Sequence, residues 1–268
     1  MSLEEIKPIR KNIYWHIFKN YSINVSKKIT PKKLRQLFRD GIRRTKYHII
    51  GLFKNKHVYC PIEQQEYNFF PSKASLKSGA RARYRLFWLF LERETSILNE
   101  GTSILHCAPQ LGILRRLQSY PNLDYVPADK KLPGYDYANE TIDVDLLDIP
   151  FEKERFDFIL CNRVLEHIED DFQAMAEMYR VLKLGGKAII TVPINFNQKE
   201  THESYTSLYD RIKYYGQWDH VRMYSGDIKD RLESAGFKVE IVEYSKQFSK
   251  KEFKLFGLVK DFIIIAQK

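Results

Sequence analysis

The chain has 268 residues, 44% of them hydrophobic, enough for one α/β domain of ordinary size with extensions. No apolar run reaches the roughly 18 to 20 residues of a membrane span, three scattered cysteines make no disulfide framework, and no signal-peptide pattern follows Lys7, Arg10 and Lys11. These features predict a cytoplasmic protein, and the net charge of +10 is unevenly placed: residues 1–58 hold 15 Lys and Arg against 3 acidic residues.

That basic arm suits an anionic membrane surface at the inner face, a nucleic acid or an acidic partner; a solvated helical extension that packs on the domain explains it without any partner. Within it, Thr30-Pro31 reads as an N-cap with Pro at the first helical position. Leu34, Leu37, Phe38 and Ile42 then form an apolar stripe flanked by Lys32, Lys33, Arg35, Arg39 and Arg43, the pattern of an interfacial helix or of one docked on the protein itself. Residues 59–80 carry turn signals at Pro61, Pro71 and Gly79. A helix is predicted over 81–99.

Strands are predicted at 103–107, 124–128, 142–145, 157–162 and 187–193, with helices at 111–119 and 170–183 between them. Such alternation implies a Rossmann-like, doubly wound α/β sheet, mostly parallel and covered on both faces. A helix near 226–235 ends at Gly236. Two closing strands, 238–244 and 257–267, are predicted to pair antiparallel with little between them. The polar, aromatic segment 194–225 follows a strand's C-terminal end, where such sheets bind ligands. The domains expected are an arm (1–58), a small segment (59–80) and an α/β domain (81–268) carrying 194–225 as an acceptor-side insert.

The most informative stretch is Leu105-His106-Cys107-Ala108-Pro109-Gln110-Leu111-Gly112, a strand entering a tight turn and then a helix. Backbone N–H groups at such a turn face a nucleotide-like cofactor. Further on come Asp145-Leu146-Leu147-Asp148-Ile149-Pro150-Phe151, Phe156-Asp157, Val164-Leu165-Glu166-His167-Ile168 and Tyr179-Arg180-Val181-Leu182-Lys183-Leu184-Gly185-Gly186. In this order and spacing the chain resembles class I S-adenosylmethionine-dependent methyltransferases of the type 11 kind, over roughly residues 81–240. More narrowly, it looks like a bacterial subgroup with a zinc-ribbon-like segment before the catalytic domain.

The resemblance implies S-adenosyl-L-methionine as cofactor. His106 holds the position that is usually acidic, Ala108 and Gln110 replace two glycines, and Gly112 remains. Where the ribbon has two Cys-x-x-Cys pairs, this chain has Cys60 and Glu63, then Ser75 and Ser78. That set falls short of four good zinc donors, so the protein is expected to hold no zinc. Asp129 matches the acid that accepts bonds from ribose hydroxyls, with a helix N-cap as the alternative. Asp145 matches the reader of the adenine amino group, or is a surface loop acid, and Leu146 would sit beside the purine. Asn162 and Arg163 would line the cofactor's other side.

Methyl transfer to an oxygen or nitrogen needs a positioned acceptor, and a hydroxyl acceptor often needs a base. His167 is one choice; capping the loop before Asp170-Asp171 explains it as well. His220 is the stronger choice, within Asp219-His220-Val221-Arg222-Met223-Tyr224. Asp219 would orient it, although neighbours in a strand point to opposite faces. Arg222 would hold an anionic acceptor, with Tyr224 beside it. The predicted function is methyl transfer to a small-molecule or glycan-like acceptor, the glycan expectation coming from the subgroup. The alternatives are a catalytically degenerate scaffold and a nucleic-acid methyltransferase guided by the arm. Against the latter, no Asn/Asp-Pro-Pro-aromatic motif occurs.

Overall fold

The strand predicted at 103–107 lies at the heart of a seven-stranded sheet. We describe it from a computed structural model covering residues 57–70, 74–131, 138 and 140–268. β3 (Ser103–Cys107) runs parallel to β4 (Asp124–Asp129) on one side and β6 (Phe156–Asn162) on the other. The full order is β5-β4-β3-β6-β7-β9-β8, with β5 Ile142–Asp143, β7 Leu182–Thr191, β8 Lys238–Val242 and β9 Ile263–Gln267. β9 is antiparallel to both its neighbours. This is the Rossmann-like sheet that the alternation predicted.

Every residue of β3 is buried, as a strand covered on both faces requires. Leu105, Cys107, Ile159 and Ile190 face one core with α3 (Asp171–Val181) and α4 (Ile228–Ser234). Ile104, Phe158, Leu160 and Ile189 face a second core with α1 (Ala82–Glu94) and α2 (Leu111–Gln118). Asp170 caps α3 by accepting from the Gln173 N–H, satisfying a donor that the first helical turn leaves unpaired.

Several boundaries differ from the sequence expectation. The first long helix stops at Glu94, and β5 keeps only two residues of the strand predicted at 142–145. The helix predicted to 183 ends at Val181, and β7 begins at once. Gly185 and Gly186 therefore lie inside β7 rather than before it. A Cβ on Gly186 would come within 2.9 Å of the Lys183 carbonyl oxygen, so the pair permits a bulge there. Between the closing strands stands α5 (Lys250–Leu255), where little was expected. Its signal is a capping box: Ser249 accepts from the Glu252 N–H while Glu252 accepts from the Ser249 N–H. Residues 1–56 of the basic arm, which include the segment predicted as an interfacial helix, lie outside the described residues. Among the described residues no helix is long and apolar enough to cross a membrane.

Ahead of the sheet, β1 (Val58–Cys60) and β2 (Gln65–Tyr67) form a small antiparallel hairpin. The positions matched to the ribbon's donors surround a carboxylate. Glu63 accepts from the Ser75 hydroxyl at 2.6 Å, the Ser78 N–H at 2.6 Å, and the hydroxyls of Ser78 and Tyr67. Ser78 carries the connection onward. Its carbonyl accepts from the Gln110 amide at 3.1 Å, and its side chain abuts Gly112 so closely that a Cβ there would lie 2.8 Å from it. The hairpin is thereby latched to the start of α2.

Burial works to raise the Glu63 carboxyl, but the hydrogen bonds from Ser75, Ser78 and Tyr67 outweigh it and hold it below its ordinary value. A depressed folded pKa contributes stability that is present above the unfolded pKa and is lost as pH falls through the folded one. Glu63→Ala is expected to lower stability at pH 7 by about 1–3 kcal/mol. Below about pH 4 the gap to the parent should narrow. Urea unfolding across that pH series checks both.

Candidate functional site

At β3 the sheet changes direction: the connection to β4 leads one way and β6 lies on the other side. The crevice beyond the C-terminal ends of β3 and β6 is where a sheet of this kind places a ligand. A separate open cleft lined by Arg93, Glu94, Asp157 and Leu184 lies at the opposite end of β6 and shares none of the predicted site residues.

The first crossover is more self-contained than its sequence suggested. Ala108 adopts φ 47°, and its N–H is bonded to the Ala128 carbonyl at 2.7 Å. Pro109 has no N–H to offer. The Gln110 side chain accepts from the Gly112 and Ile113 N–H groups at 2.9 and 3.2 Å. Two of the helix-start amides expected to face a cofactor thus have a partner within the chain. His106 is buried beneath the turn, with Nδ1 2.8 Å from the Tyr125 hydroxyl. Burial pushes its pKa down to about 3, so the ring is neutral and packed rather than exposed to a cofactor.

Across the crevice, Asp129 is half-buried at the end of β4. Burial, with Asp143 nearby adding like charge, raises its carboxyl. Asp145 accepts from the Leu147 N–H at 3.1 Å and pairs with the Lys130 ammonium. Those bonds outweigh its partial burial and hold its carboxyl low. Leu146, expected beside a purine, instead turns into the core and is 7% exposed. Arg163 stands at φ 61° and makes a two-oxygen contact with Asp261 at 2.9 and 2.7 Å, so its guanidinium head already has an anion.

The ends of β6 and β7 hold what the sequence reading only partly found. Asn162 Oδ1, Glu166 Oε2 and Thr191 Oγ1 are buried and have no hydrogen-bond partner. Buried polar atoms are normally paired, so three orphans beside one crevice mark a place prepared for a ligand or ordered water. Asn162 was predicted. Glu166 and Thr191 were missed; their signals are an acid inside the apolar run Val164 to Ile168 and a hydroxyl at a strand's C-terminal end. Cys107 and Cys161 are buried within their strands, as core residues.

The insert folds back over this end. His167 and His220 meet edge to face, with ring centroids 4.7 Å apart at 84°. The Val221 N–H bonds the Glu166 carbonyl at 2.9 Å, tying the insert to the turn after β6. His220 Nδ1 lies 2.9 Å from the Tyr215 carbonyl and must donate to it, which leaves the lone pair on Nε2. His167 Nδ1 likewise faces the Asp219 carbonyl at 3.2 Å and its carboxylate at 3.4 Å. Asp219 therefore orients His167, not His220 as expected, because the segment is a turn rather than a strand. Burial works to lower His167, but Asp219 and Glu166 outweigh it and hold the ring above its usual value; for Asp219, the bonds to His167 and Gln217 outweigh burial and bring it to about 2. Burial lowers His220.

Arg222 and Tyr224 are buried and hydrogen-bonded within the chain. Arg222 is 2% exposed and donates to Glu203, to the carbonyls of Leu165, Ile168 and Glu169, and pairs with Asp171. Tyr224 is fully buried and donates to Asp171 at 2.7 Å. Both substrate-binding expectations give way to a structural role: burying a guanidinium requires this many acceptors, which leaves none of it for an anion. On the outer side of the insert, Tyr205 and Tyr214 stack at 4.3 Å, and Leu208, Tyr209, Ile212 and Trp218 are exposed.

Residues 110–190 match the family described as "Methyltransferase domain". An uncharacterized protein of Methanocaldococcus jannaschii is 51% identical over 45 residues, 17% of this chain and 22% of that protein. A second from the same organism is 31% identical over 90 residues, 33% of this chain and 40% of that one. The chain thus spans less than half the length of these relatives. Among solved structures, a SAM-dependent methyltransferase from Archaeoglobus fulgidus is 16% identical with a TM-score of 0.48, covering 68% of this chain and 93% of that one.

If Arg222 is structural, Arg222→Ala lowers stability by about 3–5 kcal/mol in urea unfolding. Tyr224→Phe should lower it by about 1–3 kcal/mol. A substrate-binding role would instead raise KM in Tyr224→Phe at unchanged stability.

Proposed function

We propose that the protein, whose residues 110–190 match the methyltransferase domain family, is an S-adenosylmethionine-dependent methyltransferase acting on an oxygen or nitrogen of a small-molecule or glycan-like acceptor. The observation that carries this reading is the trio of buried, partnerless polar atoms on Asn162, Glu166 and Thr191 beside the switch point. Asn162 and Thr191 suit the polar amino-acid end of the cofactor, and Glu166 the acceptor side. Asp129, half-buried at the end of β4, suits the ribose hydroxyls. Asp145 retains lone pairs for an adenine amino group beyond its bonds to Lys130 and Leu147.

The cofactor supplies an electrophilic methyl carbon on a sulfonium sulfur. The work left to the chain is placement. The crossover at Ala108 to Gly112 forms the floor, with Ala108 bent by its positive φ and Gly112 leaving room only for Ser78. Glu166, His167 and His220 stand on the acceptor side. His220 offers its Nε2 lone pair to an acceptor hydroxyl or amine, and His167 packs against it in an orientation fixed by Asp219. Tyr209, Tyr214 and Trp218 of the insert expose aromatic rings, side chains suited to the face of a sugar or similar ring.

One observation favours a second reading, a scaffold that has lost its cofactor: the Gln110 side chain occupies the amides of Gly112 and Ile113. Calorimetry with S-adenosylmethionine and its demethylated product separates the two. Saturable binding that weakens roughly 10- to 100-fold in Asp129→Ala supports the enzyme. No binding by the parent protein supports the scaffold. His220→Asn is expected to lower turnover by about 10²–10⁴ with cofactor affinity unchanged; undiminished turnover in that variant removes His220 from the reaction.

A further inference from the structure

Glu166, His167 and His220 each offer one ligand atom, and these atoms lie within 4.8 Å of one another. We propose that these three side chains form a binding site for a divalent transition metal of the zinc type, with one coordination position left open. The proposal rests on the preceding reading only for where an acceptor would lie, and it gives the Nε2 lone pair of His220 to the ion instead of to the acceptor; metal binding itself does not depend on that reading.

Three features carry it beyond proximity. First, Glu166 is 1% exposed, and its Oε2 has no hydrogen-bond partner. A carboxylate is rarely buried unless it is paired or coordinates a metal. Second, each imidazole has its Nδ1 committed to an oxygen: His220 to the Tyr215 carbonyl and His167 to Asp219. That outer contact fixes the tautomer and leaves Nε2 as the ligating atom, the arrangement seen around metal-bound histidines. Third, the donors are held by the fold. Glu166 and His167 share one helical turn, Leu165–His167, whose carbonyls are gripped by Arg222 and by the Val221 N–H. His220 comes from the insert that the same contacts pin down.

Two imidazoles and one carboxylate suit zinc or cobalt(II) over magnesium or calcium, which prefer all-oxygen shells. Three protein ligands leave a fourth position for water or an acceptor heteroatom, as in zinc sites that do chemistry. The cationic neighbour Arg163 does not oppose this strongly, because its guanidinium is neutralised by Asp261.

The test uses the full chain, stripped with a chelator and dialysed, then titrated with cobalt(II) chloride by visible absorption and with zinc chloride by calorimetry. The expected result is one equivalent bound with a four- or five-coordinate cobalt spectrum. Glu166→Gln and His220→Asn should each weaken binding roughly 10- to 100-fold or more, while Cys60→Ser retains it. Circular dichroism and thermal melts identify any variant that fails to fold; His167→Gln is then read in its place. No saturable binding by the parent, binding unchanged in the folded Glu166 and His220 variants, or binding abolished by Cys60→Ser overturns the proposal. Cofactor calorimetry on the same samples keeps the two readings apart. Cofactor binding without metal binding defeats this site alone, and metal binding without cofactor binding leaves it standing while defeating the methyltransferase.

Discussion

The buried guanidinium of Arg222 organises the functional end of this molecule. It reaches Glu203 from the insert, Asp171 at the start of α3, and the carbonyls of Leu165, Ile168 and Glu169 around the turn after β6. Arg231 joins the same carboxylates from α4. A charge this deeply buried tolerates only an arrangement in which all its donors are met. The insert, the turn and two helices therefore have one mutual placement, and the pairing of His167 with His220 follows from it. Residues that read as acceptor contacts in the sequence prove to be the frame on which the acceptor side is mounted.

The elements that came through from sequence are those with strong periodicity or an isolated apolar run. Strands β3 and β6 match their predicted bounds within a residue because both their faces are buried and the pattern is dense, and β4 matches as closely although only Pro127 and Ala128 within it are buried. The boundary between α3 and β7 was displaced because Leu182 serves helix and strand patterns alike, and only the bulge at Gly185 and Gly186 decides it. Helix α5 escaped because its six residues are mostly charged, and its identity rests on a cap rather than a stripe.

The site divides in the same way. Asp129, Asp145 and Asn162 stand at strand ends, so their location is a consequence of topology that the sequence carries. The partners of His106, Gln110 and Arg222 come from distant segments, and no local pattern announces them. Glu166 illustrates the reverse case. It sits inside a recognised motif, yet only its burial and its empty Oε2 distinguish it from a surface acid. The Glu63 cluster shows a further principle: a carboxylate bonded by two serines and a tyrosine can draw a small loop together and latch it, through Ser78, onto the first crossover.

The position of β9 has a bearing on how the protein is made. Among the described residues, β7 gains its partner on that side from residues 264–267, and β8 pairs with β9 alone. During synthesis, then, the apolar residues Ala188, Ile189 and Ile190 emerge with one ladder unsatisfied and wait for a strand translated much later. An unpaired, apolar edge in a nascent chain invites pairing with another copy. The sheet closes on that side once residues 263–267 have been made and have paired.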